Sequence, residues 1–95
     1  EKFSLDRAYP NPFNPVTTLN FALPIDTEVS ISIYNLQGRE IVSLVDGNMV
    51  AGHHTIIWNA DNHSSGIYFV KMIANWRISG QADKYVRTQK LMLVK

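Results

Sequence analysis

Glu28-Val29-Ser30-Ile31-Ser32-Ile33-Tyr34 is the stretch that decides the fold. Val29, Ile31 and Ile33 fall on one side of an extended chain, and Ser30, Ser32 and Tyr34 on the other. A period of two with β-branched residues on one side marks a strand with one buried face. A helix would scatter the same residues around its circumference. Toward the N-terminus, Pro24 ends a second alternating run, Thr17 to Leu23. There Leu19, Phe21 and Leu23 alternate with Thr18, Asn20 and Ala22.

Toward the C-terminus, Asn35-Leu36-Gln37-Gly38 predicts a turn in which Gly38 supplies a positive φ. Glu40 to Val45 predicts a third strand, closed by Asp46-Gly47-Asn48. His53 to Asn59 predicts another, with His54, Ile56 and Trp58 on one side, before a polar loop from Ala60 to Ser65. Gly66 to Ala74 is apolar on both faces and predicts a central strand; alternation leaves open which face points inward. Asn75 to Asp83 predicts a hairpin loop, and Tyr85 to Val94 the last strand. Phe3-Ser4-Leu5 adds a weak edge strand.

These elements predict one domain over residues 1–95: an all-β, immunoglobulin-like sandwich of about seven mostly antiparallel strands in two sheets. Residues 1–15 form a Pro-rich linker and edge segment, and 16–95 the sandwich core. Tyr9-Pro10-Asn11-Pro12-Phe13-Asn14-Pro15 cannot be helical. It predicts a stiff extended connector pinned by Tyr9 and Phe13. The leading core candidates are Ile31, Ile33, Ile56, Trp58, Ile67, Phe69, Leu91 and Leu93.

The totals narrow the function. The chain has 95 residues, is 45% hydrophobic and 18% charged, and carries a net charge of +1. That balance suits a folded domain, and it offers no strong field for nucleic acid or an anionic membrane. The absence of cysteine excludes disulfides, thiolate zinc sites and a cysteine nucleophile. The chain begins at Glu1 without an initiator Met and its first residues lack the shape of a signal peptide, so it reads as a fragment, with any export signal upstream.

No catalytic constellation emerges. His53 and His54 are adjacent on a strand and point to opposite faces. His63 lies beside Asp61 and Ser64, too close in sequence for triad geometry. The eight acids are scattered beside turns. Asn59, Asp61, Asn62, His63, Ser64 and Ser65 make an oxygen-rich loop of a kind that can hold calcium; turn capping by Asx and Ser side chains is the preferred reading. Asn62-His63-Ser64 matches the glycosylation pattern and is taken as coincidence. Trp76 is either a carbohydrate platform or a lid over the sandwich end, the second being preferred. Arg77, Lys84, Arg87, Lys90 and Lys95 are read as protecting an edge strand, not as a nucleic-acid surface. The expectation is no catalytic site, no cofactor, no metal and no small-molecule substrate.

Beyond these readings, the motifs carry a resemblance. Tyr9 to Leu19, YPNPFNPVTTL, resembles the opening of C-terminal sorting domains of the type IX (Por) secretion system, which overlap with flagellar hook-cap-like immunoglobulin-like domains. Val29 to Gly38, Glu40 to Gly47, Ala51-Gly52-His53, Trp58-Asn59, Ser65 to Phe69 and Lys90 to Lys95 are similar to later family elements in the same order. Ala60, where the family often has Gly, and Trp76 depart from it. The resemblance implies a non-catalytic sorting and surface-anchoring domain, with sorting-motif residues Tyr9, Pro10, Asn11, Pro12, Gly38, Gly66, Tyr68, Leu91, Val94 and Lys95. It implies as partners the outer-membrane machinery, a sortase-like peptidase and an N-terminal cargo domain in the same chain. It also implies delivery through the periplasm of a Gram-negative bacterium to the surface or medium. The free edge of the last strand is expected to offer strand pairing to the machinery. The competing reading is a structural or carbohydrate-binding accessory module of a secreted polysaccharide-degrading enzyme.

Overall fold

The computed structural model describes residues 2–95. Among them are seven strands and no helix: β1 (Ser4–Leu5), β2 (Val16–Leu23), β3 (Thr27–Tyr34), β4 (Glu40–Met49), β5 (Gly52–Asn59), β6 (Gly66–Ile78) and β7 (Gln81–Leu93). They form two antiparallel sheets, ordered β1-β2-β5 and β4-β3-β6-β7. The all-β sandwich expected from the alternating runs is the fold.

Val29, Ile31 and Ile33 are fully buried, and Leu19, Phe21 and Leu23 face them from the other sheet. Register then decides what alternation could not. Val29, Ile31 and Ile33 pair with Ala74, Met72 and Val70. Residues paired across a ladder share a face. The buried set of β6 is therefore Tyr68, Val70, Met72 and Ala74. Ile67 and Phe69, expected in the core, sit half-buried on the outer face. Leu91 pairs with Tyr68 and Leu93 with Gly66, which turns both leucines inward. Trp58 is buried as expected, while Ile56, on a sheet-edge strand, is only partly covered.

Two expected loops are strand. Asp46-Gly47-Asn48 continues β4, paired with Ser30, Val29 and Glu28. The chain turns later, at Val50-Ala51, where the Asp26 carboxylate accepts from the Ala51 N–H at 2.8 Å. The stretch Asn75–Asp83 is mostly ladder, and only Ser79-Gly80 turns, with φ of 52° and 78°. Two successive positive φ values suit the twist of a tight hairpin. The hairpin projects beyond β3, whose pairing with β6 stops at Asn75. Both of its faces meet water there, so polar residues mislead a search for alternation. Trp76 lies in this projection, half-buried, its ring stacked on Phe3 at 4.3 Å.

Residues 2–15 run along the sandwich instead of away from it. Leu5, Ala8 and Phe13 belong to the core, whereas Tyr9, expected to help pin the segment, is 79% exposed. The peptide bonds before Pro10, Pro12 and Pro15 are cis.

Core parity makes a direct prediction. Met72→Ala will destabilise the domain by about 2–5 kcal/mol, while Ile67→Ala, on the half-buried face, will cost less than about half of that. Urea unfolding of the two variants against the parent chain measures the difference.

Candidate functional site

The Pro-rich segment is fastened to β7 by side chains that imitate a strand. Asn11 donates through Nδ2 to the Lys90 carbonyl at 2.9 Å, and its Oδ1 accepts from the Met92 N–H at 3.0 Å. Pro10 and Pro12 lack an N–H, so an amide side chain supplies the donor that this backbone cannot. Two residues further on, the Phe13 N–H donates to Met92 O and the Phe13 carbonyl accepts from Val94 N–H, both at 2.9 Å. Phe13 and Leu93 thus form a parallel bridge. Upstream, Gln89 completes the seam: its Nε2 donates to the Leu5 and Asp6 carbonyls, and its Oε1 accepts from the Ala8 N–H.

The seam leads into a cluster at one end of the sandwich. Phe13 packs on Trp58 with centroids 5.5 Å apart, and Trp58 on Tyr68 at 5.5 Å, edge to face. His63 lies 5.7 Å from Trp58 and 6.1 Å from Tyr68. The Tyr68 hydroxyl donates to the Ser64 carbonyl at 2.6 Å, which ties the 60–65 loop to β6. Edge-to-face rings with the hydroxyl satisfied suit a half-buried aromatic cluster.

Lys95 closes this end. Its N–H donates to Ser65 Oγ at 3.0 Å, and its ammonium donates to the carbonyls of Asp61 and His63. These carbonyls belong to the loop considered for calcium, and a side-chain cation already occupies them. Asn59 Oδ1 accepts from Asp61 N–H at 3.0 Å, the turn-capping role expected of an Asx residue. Among the described residues, no group of three or more His, Cys, Asp or Glu side chains is arranged to hold a metal.

The turn after β3 stands beside the same loop. Asn35 Oδ1 accepts from the N–H groups of Gln37 and Arg39, and Gly38 has φ of 84°, a conformation that favours glycine. Between this turn and residues 62–68 lies an open cleft of about 650 Å³, with Leu36, Ile41 and Ile67 as its apolar walls and Asn35, Asn62 and Ser65 as its polar ones.

The expected sorting-motif residues therefore fall in one region. Pro10 accepts from Thr17 Oγ1 at 2.7 Å, and Tyr9 bridges to Thr18. Asn11 and Pro12 lie on the seam, Gly66 and Tyr68 start β6, and Gly38 closes the neighbouring turn. Leu91 is buried, and Val94 and Lys95 end the seam. Phe13, His63 and Ser65, noted in the sequence as a connector pin and as loop residues, join them, as does Gln89, which carried no signal of its own. Their partners lie 30 to 84 residues away for Gln89 and Ser65, so no local pattern marks them.

The family model for the secretion system C-terminal sorting domain matches residues 7–91, nearly the whole chain. The chain belongs to this family. The sorting domain so identified has the type IX role that its motifs resemble, a sorting signal on a protein exported to the cell surface or the medium. That role is recognition, not catalysis. A search of curated proteins and a search of solved structures find no match.

One expectation fails. The edge of β7 from Gln89 to Val94 is not free for a partner strand, because residues 5–13 of the sorting domain already bond to it.

Asn11→Ala removes two bonds of the seam. The sorting domain will lose about 1–3 kcal/mol of stability, and amide exchange at Met92 will rise. Thermal melting and hydrogen-exchange mass spectrometry read these two effects.

Proposed function

We propose that the type IX outer-membrane machinery reads this domain at the end built by the Pro-rich segment, the 60–65 loop and Lys95. The observation that carries the reading is the convergence at that end of motif residues scattered from Tyr9 to Lys95. In this reading the Pro-rich segment leads from an N-terminal cargo domain into the sandwich of residues 16–95, to whose core its Leu5, Ala8 and Phe13 also belong. The folded cargo crosses from the periplasm of a Gram-negative bacterium, and a sortase-like peptidase acts afterwards to anchor it at the surface.

The motif residues divide by role. Tyr68 and Leu91 are buried and, with Phe13 beside them, hold the end in shape. Tyr9 is 79% exposed and Val94 half-exposed, so they can be touched by a partner. An exposed aromatic ring presents a large contact area at low conformational cost, which suits a recognition contact. The accessory carbohydrate reading draws no such support, since the Trp76 ring is stacked against Phe3.

Deleting Lys90–Lys95 would remove the buried Leu91 and Leu93, so export lost that way could reflect unfolding. A surface substitution separates recognition from folding. With the domain fused behind a reporter in a host carrying the type IX system, Tyr9→Ala will lower surface delivery about tenfold, as losing a contact worth about 1.4 kcal/mol would. The melting temperature of the purified variant will match the parent. Unchanged delivery would count against reading at this end.

A further inference from the structure

The four strands at the sheet edges are not equally protected. β1 has two residues. β4 is bulged twice: Ile31 pairs with Val45 and Ser32 with Ser43, which skips Leu44, and the step from Val42 to Glu40 skips Ile41. β7 is covered by residues 5–13 along its later half, and its earlier half carries Asp83, Lys84 and Arg87. Bulges, short length, charges and covering segments are the usual means of keeping an edge from pairing with another chain.

β5 has none of these. It ends its sheet, pairs with β2 in unbroken register, and contains no proline, lysine, arginine, aspartate or glutamate. Its outward row at the sorting end is Thr55, Ile57 and Asn59, with Ile57 62% exposed. Behind that row, Thr18 pairs with Ile57 and Tyr9 bridges to Thr18. The outer face thus carries a line of Tyr9, Thr18 and Ile57 that stops at an open edge.

We propose that this edge pairs with the same edge of a second copy of the chain, antiparallel, about a two-fold axis at Ile57. The register follows from the row itself. With Ile57 opposite Ile57 of the copy, Thr55 meets the copy's Asn59 and Asn59 its Thr55. No charged side chain faces another, and the most exposed apolar residue of the strand is covered by its own counterpart. The two three-stranded sheets become one of six strands, and the Tyr9-Thr18-Ile57 line runs on across the axis. A second copy fits this edge better than an unrelated strand because the row is self-complementary and uncharged and the chain's net charge is only +1. The contact is small, so the association is weak and reversible.

Light scattering behind size exclusion, from about 10 µM to about 1 mM chain, spans the range in which so small a contact would show. The parent chain will shift from monomer to dimer. Ile57→Lys will weaken the dimer about tenfold or more, since it sets two like charges face to face. Its melting temperature will hold, because the side chain is exposed. Ile78→Lys removes an equally exposed apolar residue (56%) from the β6–β7 hairpin and will leave dimerisation unchanged. The chain has no cysteine, so Ile57→Cys tests the register directly: it will oxidise to a disulfide-linked dimer, whereas Ile78→Cys will not. A parent chain that stays monomeric at the highest concentration overturns the proposal. So does a dimer lost with Ile78→Lys but kept with Ile57→Lys, or an Ile57→Cys variant that cross-links no faster than Ile78→Cys.

Discussion

The ladder between β3 and β6 sets Ile31 opposite Met72, and the rest of the domain is arranged around that register. A slip of one residue would turn Val70, Met72 and Ala74 outward and bring Phe69, Lys71 and Ile73 into the core. Lys71 makes the alternative register costly, because an unpaired ammonium cannot be buried without a large penalty. The same register orients β7 through β6. Leu91 and Leu93 point inward because Tyr68 and Gly66 are their partners. Once those leucines are committed to the core, the outer backbone edge of β7 lies beside the gap between the sheets, and residues 5–13 fill it.

That filling explains why a Pro-rich segment can be part of the sandwich. A strand of ordinary residues would pair through its own N–H groups. Here Pro10 and Pro12 have no N–H to offer and Asn11 bonds through its side chain instead, while Gln89 of β7 fastens residues 5, 6 and 8 through its own. The arrangement is rigid without being a regular strand, and it delivers Phe13 to Trp58 and Tyr68. This end of the sandwich is therefore built from both extremes of the chain.

Much of this was legible in the sequence, for a physical reason that also marks where legibility stops. β2 and β3 each bury one face, so alternation displayed them directly. β6 is apolar on both faces, and only its pairing with β3 shows that Val70 and Met72, not Ile67 and Phe69, enter the core. The hairpin from Asn75 to Asp83 looked like a loop because it projects past the second sheet and needs no apolar face. The motif residues were named as expectations from the family resemblance. Their placement was not legible, since the Asn11 and Lys95 bonds join residues thirty or more positions apart. The expectation of a free edge on β7 failed for the same reason: what covers it lies some eighty residues earlier in the chain.

Edge protection ties the fold to its use. A domain that is handled by other proteins must not pair with them indiscriminately, and each edge is a row of backbone groups ready to do so. The covering of β7 near the motif residues means that recognition at this end cannot rest on adding a strand there. Side chains and loop surfaces remain open beside it, among them Tyr9 and the cleft beside Leu36. The same reasoning gives the two bulges of β4 a role. They let Ile41-Val42 and Leu44-Val45 both turn toward the core while breaking the regular edge a partner would need. An edge left straight and uncharged in such company stands out, because every other edge of the sandwich has a device that closes it.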